Sequence, residues 1–434
     1  MELGQQALAR EMSFNPVIEG GQAMKRKNSW IGRGGLVLVL ILGLLTACEK
    51  DEDTGGDKGL KCNGPWRKLV DDVSLTLTGL RNDSPYLVWT GSEYGLVWND
   101  YSGGLSGEVS FAPLPAEGSG IQGLPLTDPD GTDSTDSLNP SLAWTGIGYG
   151  VSWQDERDGN SEIYFARIST AFAKIGADVR LSNDSGQSRN PSLVWTGTEF
   201  GLVWQDDRSG NDEIYFTRLN TAGVEIGTAV QITNAGGESQ DPSLVWTGSL
   251  YGVSWTDDRD GDTEIYFTQI SAEGEKIGED VRMTNDPGLS EQSSLVWAQR
   301  EYGVSWQDDR DGLGDEIYFA RISAQGQKLG SDVRITEDPN LSEAPALAWS
   351  GYHYGVSWQD DRDGLGNEIY FARISPSGHK LDHDLRVTLD LAASAFSSLA
   401  WTGTEFGLSW SDTRGGNDYE IYFTRIGCYS EEVK

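Results

Sequence analysis

The sequence predicts an all-β fold, a seven-bladed β-propeller of four-stranded antiparallel blades, and three observations predict it. A tryptophan pair nine residues apart occurs seven times, at Trp89/Trp98, Trp144/Trp153, Trp195/Trp204, Trp246/Trp255, Trp297/Trp306, Trp349/Trp358 and Trp401/Trp410. The first members are 55, 51, 51, 51, 52 and 52 residues apart. A period near fifty marks a supersecondary unit that cannot bury its apolar faces alone. Each unit holds four short strand-like runs. The last unit lacks its fourth run, and a matching run stands at the other end of the chain.

The third copy, Pro191 to Thr233, shows the strands. SLVW, FGLVW, EIYFTRL and AVQIT carry the β-branched and aromatic residues that favour extended structure. Between them lie Thr-Gly-Thr, an Asp/Arg/Gly/Asn segment and Asn-Thr-Ala-Gly, which offer Gly or Asn for positive φ. Such short connections make neighbours antiparallel. No repeat segment has a sustained helical period. A β-helix needs shorter rungs, and leucine-rich or helical solenoids need patterns that are absent. The repeat closes into a ring by sheet packing. The tryptophan rings are expected in the wedges between blades, where large flat side chains bury much area.

The chain ends soon after Glu420–Ile426, the third strand of the seventh unit. Lys68–Thr76 aligns without a gap on Lys328–Thr336, a fourth strand. It is therefore expected to complete the last blade, leaving no open seam. Two of the three cysteines flank this junction, Cys62 before the closing strand and Cys428 after the last one. Both fall where an ordinary unit has its third-to-fourth-strand turn, which predicts a Cys62–Cys428 disulfide worth about 4–5 kcal/mol by chain-entropy reasoning.

The third cysteine sits in a targeting segment. Met24-Lys25-Arg26-Lys27 is a positive n-region, and Leu36 to Leu45 is an apolar core too short to span a membrane comfortably. Leu45-Thr46-Ala47-Cys48 resembles a bacterial lipobox, which implies cleavage before Cys48 and acylation of that residue. Residues 1–47 thus read as a signal peptide, with Met24 as an alternative start. An uncleaved anchor is the rival reading. Residues 48–61 read as a lipidated cysteine with a flexible acidic tether, and residues 62–434 as the propeller. Several acyl chains give stable anchorage. Glu49 after the cysteine resembles outer-membrane lipoproteins. An oxidising extracytoplasmic compartment also suits a disulfide.

The net charge is −34. Removing residues 1–47 takes five of 33 bases and three of 67 acids, leaving 28 against 64, or −36. That excludes nucleic acid and adhesion to anionic headgroups, and otherwise keeps a surface protein soluble. Roughly 365 residues suffice for one large core, and a monomeric propeller is expected.

Acidic turns repeat between the second and third strands. Their Asp/Arg pairs are Asp155/Arg157, Asp206/Arg208, Asp257/Arg259, Asp308/Arg310, Asp360/Arg362 and Asp412/Arg414. They should share a face with the blade-to-blade loops and form a candidate binding face. The segment DERDGNSEIYFARI, Asp155–Ile168, and the trailing Val333–Thr336 resemble the propeller repeats of TolB-like proteins. The resemblance covers nearly all of residues 68–427 and implies protein–protein contacts in the cell envelope. The chain departs from TolB itself in having seven units, a lipid-anchor motif and no N-terminal α/β domain.

Three roles compete for these turns. They could be structural, with the Asp–Arg pair orienting a tight turn. They could bind calcium, with Asp258, Asp260, Asp262 and Glu264 alternating as oxygen ligands. Or each blade could hold a glycan. Spacing favours structure. Trp255 to Glu264 is nine residues, but Trp306 to Glu316, Trp358 to Glu368 and Trp410 to Glu420 are ten, placing Leu313 and Leu365 where Asp262 stands. The EF-hand pattern is not met.

Catalysis finds little support. The histidines, His353, His379 and His383, lie in one unit without a zinc framework and are expected to be solvated. There is no nucleophile elbow and no sialidase-type Asp-box. The sequence therefore predicts a non-catalytic, lipid-anchored envelope propeller serving as a protein-binding or scaffold module without a cofactor. Its unnamed partner would be an envelope protein or glycan. The alternatives are a glycan- or calcium-binding lectin-like propeller, then a polysaccharide hydrolase or lyase.

Overall fold

The computed structural model describes residues 65–428, without 77–80, 103–105, 120, 122, 128–133, 313, 338–339, 365, 391 and 417. All belong to one compact unit, Gly59–Lys434. The signal segment, Cys48, the tether and Cys62 lie outside the described residues.

Seven antiparallel sheets form, with no helix among the described residues. In the third blade Ser188–Trp195, Phe200–Asp206, Glu213–Leu219 and Val230–Gln231 follow one another across the sheet. The other blades begin at Asn82, Ser137, Ser239, Ser290, Ser342 and Ser394. Second and third strands are buried on both faces between neighbouring blades, which explains their unbroken apolar runs. Fourth strands vary. Those of blades two, four and five have seven residues, whereas Leu124–Pro125, Val230–Gln231 and Leu385–Arg386 have two. Pro125 offers no N–H to extend its ladder.

Blades join through a repeated aromatic contact. Phe216 of the third blade meets Tyr251 of the fourth at 4.9 Å. Phe267–Tyr302, Phe319–Tyr354 and Phe371–Phe406 follow the same pattern, and Phe423–Tyr94 closes the circle. A second-strand glycine makes room for each incoming ring. A Cβ on Gly201 would lie 2.3 Å from Tyr251, and one on Gly407 would lie 2.4 Å from Tyr94.

The two tryptophans of each pair do different work. The second fills the inter-blade wedge as expected. Trp255 is fully buried among Val203, Ile214 and Phe216 of the preceding blade. The first is only half-buried. Trp246 ends its strand at the central channel, packed on Tyr251 at 4.6 Å.

The closing strand takes the predicted register. Lys68 pairs with Ile426 and Val73 with Phe423, as Lys328 pairs with Ile322 and Val333 with Phe319. The details repeat too. Ile421 N donates to Thr76 Oγ1 at 2.9 Å, as Ile317 N donates to Thr336. Lys68 Nζ donates to Val387 O of the neighbouring blade at 3.0 Å, and Lys380 does the same to Ile335 at 2.6 Å.

Candidate functional site

The acidic turns are built around a buried carboxylate. Asp257 is fully buried and accepts four hydrogen bonds of 2.6–3.0 Å, from Ser239 Oγ, Trp255 Nε1, Arg259 Nε and Arg259 N. A further bond comes from the same guanidinium. Arg259 also lies 4.4 Å over the Tyr266 ring and pairs with Asp280 at 2.9 Å. Burial alone would raise the Asp257 carboxyl, but the bonds from Arg259, Trp255 and Ser239 outweigh it and hold the group below the usual range. Asp155, Asp206, Asp308, Asp360 and Asp412 are buried and depressed in the same way. Arg157, Arg208, Arg310, Arg362 and Arg414 lie over Tyr164, Tyr215, Tyr318, Tyr370 and Tyr422 at 4.2–4.5 Å. The following acid is occupied as well, since Asp258 Oδ1 accepts the Glu238 N–H of the blade-to-blade loop at 2.6 Å. The two loops therefore share a face, but the six aspartates face inward and carry the turn.

The four carboxylates read as calcium ligands do not converge. Asp258 caps the adjoining loop, Asp260 accepts from the Tyr266 hydroxyl and pairs with Arg282, and Glu264 is buried against the same arginine. Only Asp262 is left to solvent. Among the described residues no group of three or more His, Cys, Asp or Glu is placed to hold a metal. The turn between the strands ending at Asp257 and beginning at Glu264 sends its carboxylates to different partners.

One histidine departs from expectation. His379 and His383 are exposed, but His353 is buried edge-on to Trp66 at 5.0 Å, with Phe406 at 6.0 Å. Blades three, five and seven carry a glutamate at this position that bonds an arginine, as Glu199 does with Arg218 at 2.7 Å. Burial, with Arg373 nearby and Asp382 opposing, pushes the His353 imidazole down to about 4. The unfolded chain binds this proton below about pH 6.5, while the fold refuses it until about pH 4. Stability is therefore complete above pH 6.5 and falls between 6.5 and 4, by at most about 3 kcal/mol. The difference in unfolding free energy between wild type and His353→Phe is expected to show this slope. A pH-independent difference would contradict it.

The central channel encloses about 1100 Å³ and is lined by all seven first strands. Near its acidic-turn end every first strand bulges. Ser84, Asn139, Asn190, Asp241, Gln292, Ala344 and Phe396 occupy the bulge, each at φ 50–54°. Left-handed backbone suits Asn and Asp but costs other residues roughly 1–2 kcal/mol. Every bulge is pinned across the blade boundary. Asn190 N donates to Gln154 Oε1 at 3.2 Å, Asp241 N to Gln205 Oε1 at 3.0 Å, and Phe396 N to Gln359 Oε1 at 3.4 Å. Ser84 N donates to Ser411 Oγ at 3.2 Å across the closing seam. Two residues further along, Ser141, Ser192, Ser243, Ser294 and Ser398 accept the N–H of the next blade's leucine at 3.0–3.1 Å. Tyr86 and Ala346 interrupt that serine ring.

The backbone ring is symmetric and its side chains are not. Blades two to five present Asn139, Asn190, Asp241 and Gln292. Asn139 Nδ2 donates to Asn190 Oδ1 at 2.7 Å, and Asn190 Nδ2 to Asp241 Oδ1 at 2.6 Å. Burial, with Glu291 and Asp212 nearby and Asn190 opposing, raises the Asp241 carboxyl. Blades six, seven and one present Ala344, Phe396 and Ser84, with Tyr86 two residues beyond Ser84; Phe396 and Tyr86 are exposed, at 43% and 38%. The acidic turns, the contact face the sequence suggests, lie outside this channel. The signal was the fifth residue before each first tryptophan, the position that the bulge turns into the channel.

No family model matches the chain, and no curated protein matches it. The resemblance carried by the Asp-Arg-Asp-Gly turns thus gains no family match. Solved structures sharing the fold include a protein of unknown function from Dyadobacter fermentans, 11% identical with a TM-score of 0.50, covering 84% of this chain and 99% of that one. Another is a puromycin-hydrolyzing peptidase from Mycobacterium tuberculosis, 12% identical with a TM-score of 0.52, covering 81% of this chain and 55% of that one. At such identities the likeness is of fold alone. The chain is a seven-bladed β-propeller closed by its N-terminal strand.

Proposed function

We propose that this chain is a lipid-anchored, extracytoplasmic propeller that acts as a non-catalytic binding module and receives its ligand at the channel mouth. The observation that carries this reading is the seven-fold ring of left-handed residues whose side chains break the symmetry in one sector. Strain held at an exposed cavity is a mark of a site rather than of a scaffold. The acidic turns are weaker candidates, because their aspartates are committed to internal bonds. Anchorage rests on the n-region, apolar core and Leu45–Cys48 motif of the sequence. The Cys62–Cys428 cross-link belongs to the same reading. It is supported by Trp66 standing opposite Cys428 in register, and by Cys428 not being a free thiol.

The test is affinity capture from envelope extracts with the full chain as bait. Wild type is expected to retain a component that Asn139→Gly/Phe396→Asn releases, both replacements tolerating positive φ. Equal capture by a folded variant excludes the channel. In cells, Cys48→Ser is expected to move the protein from the membrane to the soluble fraction.

A further inference from the structure

We infer that the channel mouth binds one neutral glycan, with a sugar ring stacked on the aromatic sector and its hydroxyls met by the amide sector. This rests on the binding reading above and names the ligand class for the same site. Three observations carry it.

The first is the cost of Phe396. It sits at φ 54°, where a bulky side chain is an outlier, and it is 43% exposed, edge-on to Tyr419 at 6.3 Å. Neither packing nor backbone geometry explains an aromatic there, since Asn at the equivalent positions of blades two and three fits the same bulge without that penalty. Exposed aromatic faces accept the apolar C–H face of a sugar.

The second is the chemistry opposite. Asn139 Nδ2 is spent on Gln154 and Asn190, and Asn190 Nδ2 on Gln205 and Asp241, so the groups open to a ligand are Asn139 Oδ1, the second Asp241 oxygen and the Gln292 amide. Gln292 has no side-chain partner among the described residues, and Asp241 Oδ1 is its only oxygen bonded there, to Asn190. Hydroxyls both donate and accept, so a polyol satisfies such a mixed wall. A purely apolar ligand would leave the Gln292 amide and those two oxygens unpaired.

The third is charge. None of the residues lining the channel is Lys, Arg or His, and the chain carries −34 overall. Uronic acids, phosphates and sulfated sugars would meet no counter-charge. The cavity, about 1100 Å³, is slightly larger than most small-ligand sites and admits a short saccharide segment.

The experiment is calorimetric titration of the full chain in detergent with neutral hexasaccharides of glucose, mannose and galactose, and with hexauronates. At least one neutral hexasaccharide is expected to bind one per chain. Phe396→Asn and Asn139→Gly should each weaken it tenfold or more, with Phe396→Asn melting no lower than wild type, because it relieves the strained bulge, and Asn139→Gly still folded and melting cooperatively. Ile147→Ala, at the opposite face and 83% exposed, should leave it unchanged. The inference is overturned if no neutral saccharide binds, if hexauronates bind as well, or if binding survives both channel variants. If capture from extracts is channel-dependent but the captured component is a protein or peptide, the binding reading stands and the glycan assignment falls. If capture and titration are both independent of the channel, both fall.

Discussion

Replacing Asp257 by alanine is expected to lower the unfolding free energy by about 3–5 kcal/mol, because it strands the charge and donors gathered around one buried carboxylate. Trp255 Nε1 loses its acceptor in a fully buried site, and Ser239 Oγ keeps only a long bond to Glu213 at 3.5 Å. Arg259 keeps Asp280, which places the loss nearer the lower figure. Asp257→Asn should cost less, since an amide oxygen still accepts from the indole or the hydroxyl. Asp262→Ala, an exposed neighbour, should change stability by less than about 0.5 kcal/mol. Urea unfolding followed by tryptophan fluorescence measures all three. Equal midpoints for Asp257→Ala and Asp262→Ala would contradict this account of the turn. Charge reversal at such positions reports folding before it reports binding. The same logic sets the acid limb. Carboxylates depressed in the fold stabilise it above the unfolded value near 3.8, and that contribution is lost as pH falls through their lower folded values.

Deleting the chain through Thr76 is expected to be more damaging still. The closing strand buries Leu75 and packs Trp66 and Val73 against the seventh blade and its neighbours, an apolar contribution on the order of 5 kcal/mol. Its loss also bares Glu420–Cys428, whose run EIYFTRI becomes an apolar sheet edge open to other chains. Static light scattering should find oligomers, and thermal melting should lose cooperativity. A synthetic peptide of residues 65–76 added in trans should restore the monomer, because the register is set by side chains as well as backbone. A truncated protein that melts like the intact one would show that the ring does not depend on this strand.

Much of this architecture was legible because it repeats. The invariant spacing of the tryptophan pairs gave the blades, and the gapless match of Lys68–Thr76 to Lys328–Thr336 gave the register of the seam. The Asp–Arg spacing pointed to a structural turn. Its full partner set did not follow, because Ser239 comes from a different strand and approaches Asp257 only when the first two strands pair. The burial of His353 is not legible from its neighbours in sequence, because the residue that covers it, Trp66, comes from the far end of the chain. The channel ring was hidden for a backbone reason. A bulge breaks the alternation from which inward and outward positions are counted, so Asn190 or Phe396 cannot be assigned to the channel by period alone.

The seam also governs the order of events during folding. Six blades are continuous in sequence, and each can assemble from residues made in succession. The seventh waits for segments near residues 70 and 425, so its contacts have the largest sequence separation in the molecule. Loop closure of that length is entropically costly before any contact rewards it. The last blade is therefore the late step of folding. It also gives the finished ring a single latch, and the Lys68–Thr76 segment that closes it lies a few residues downstream of the proposed tether.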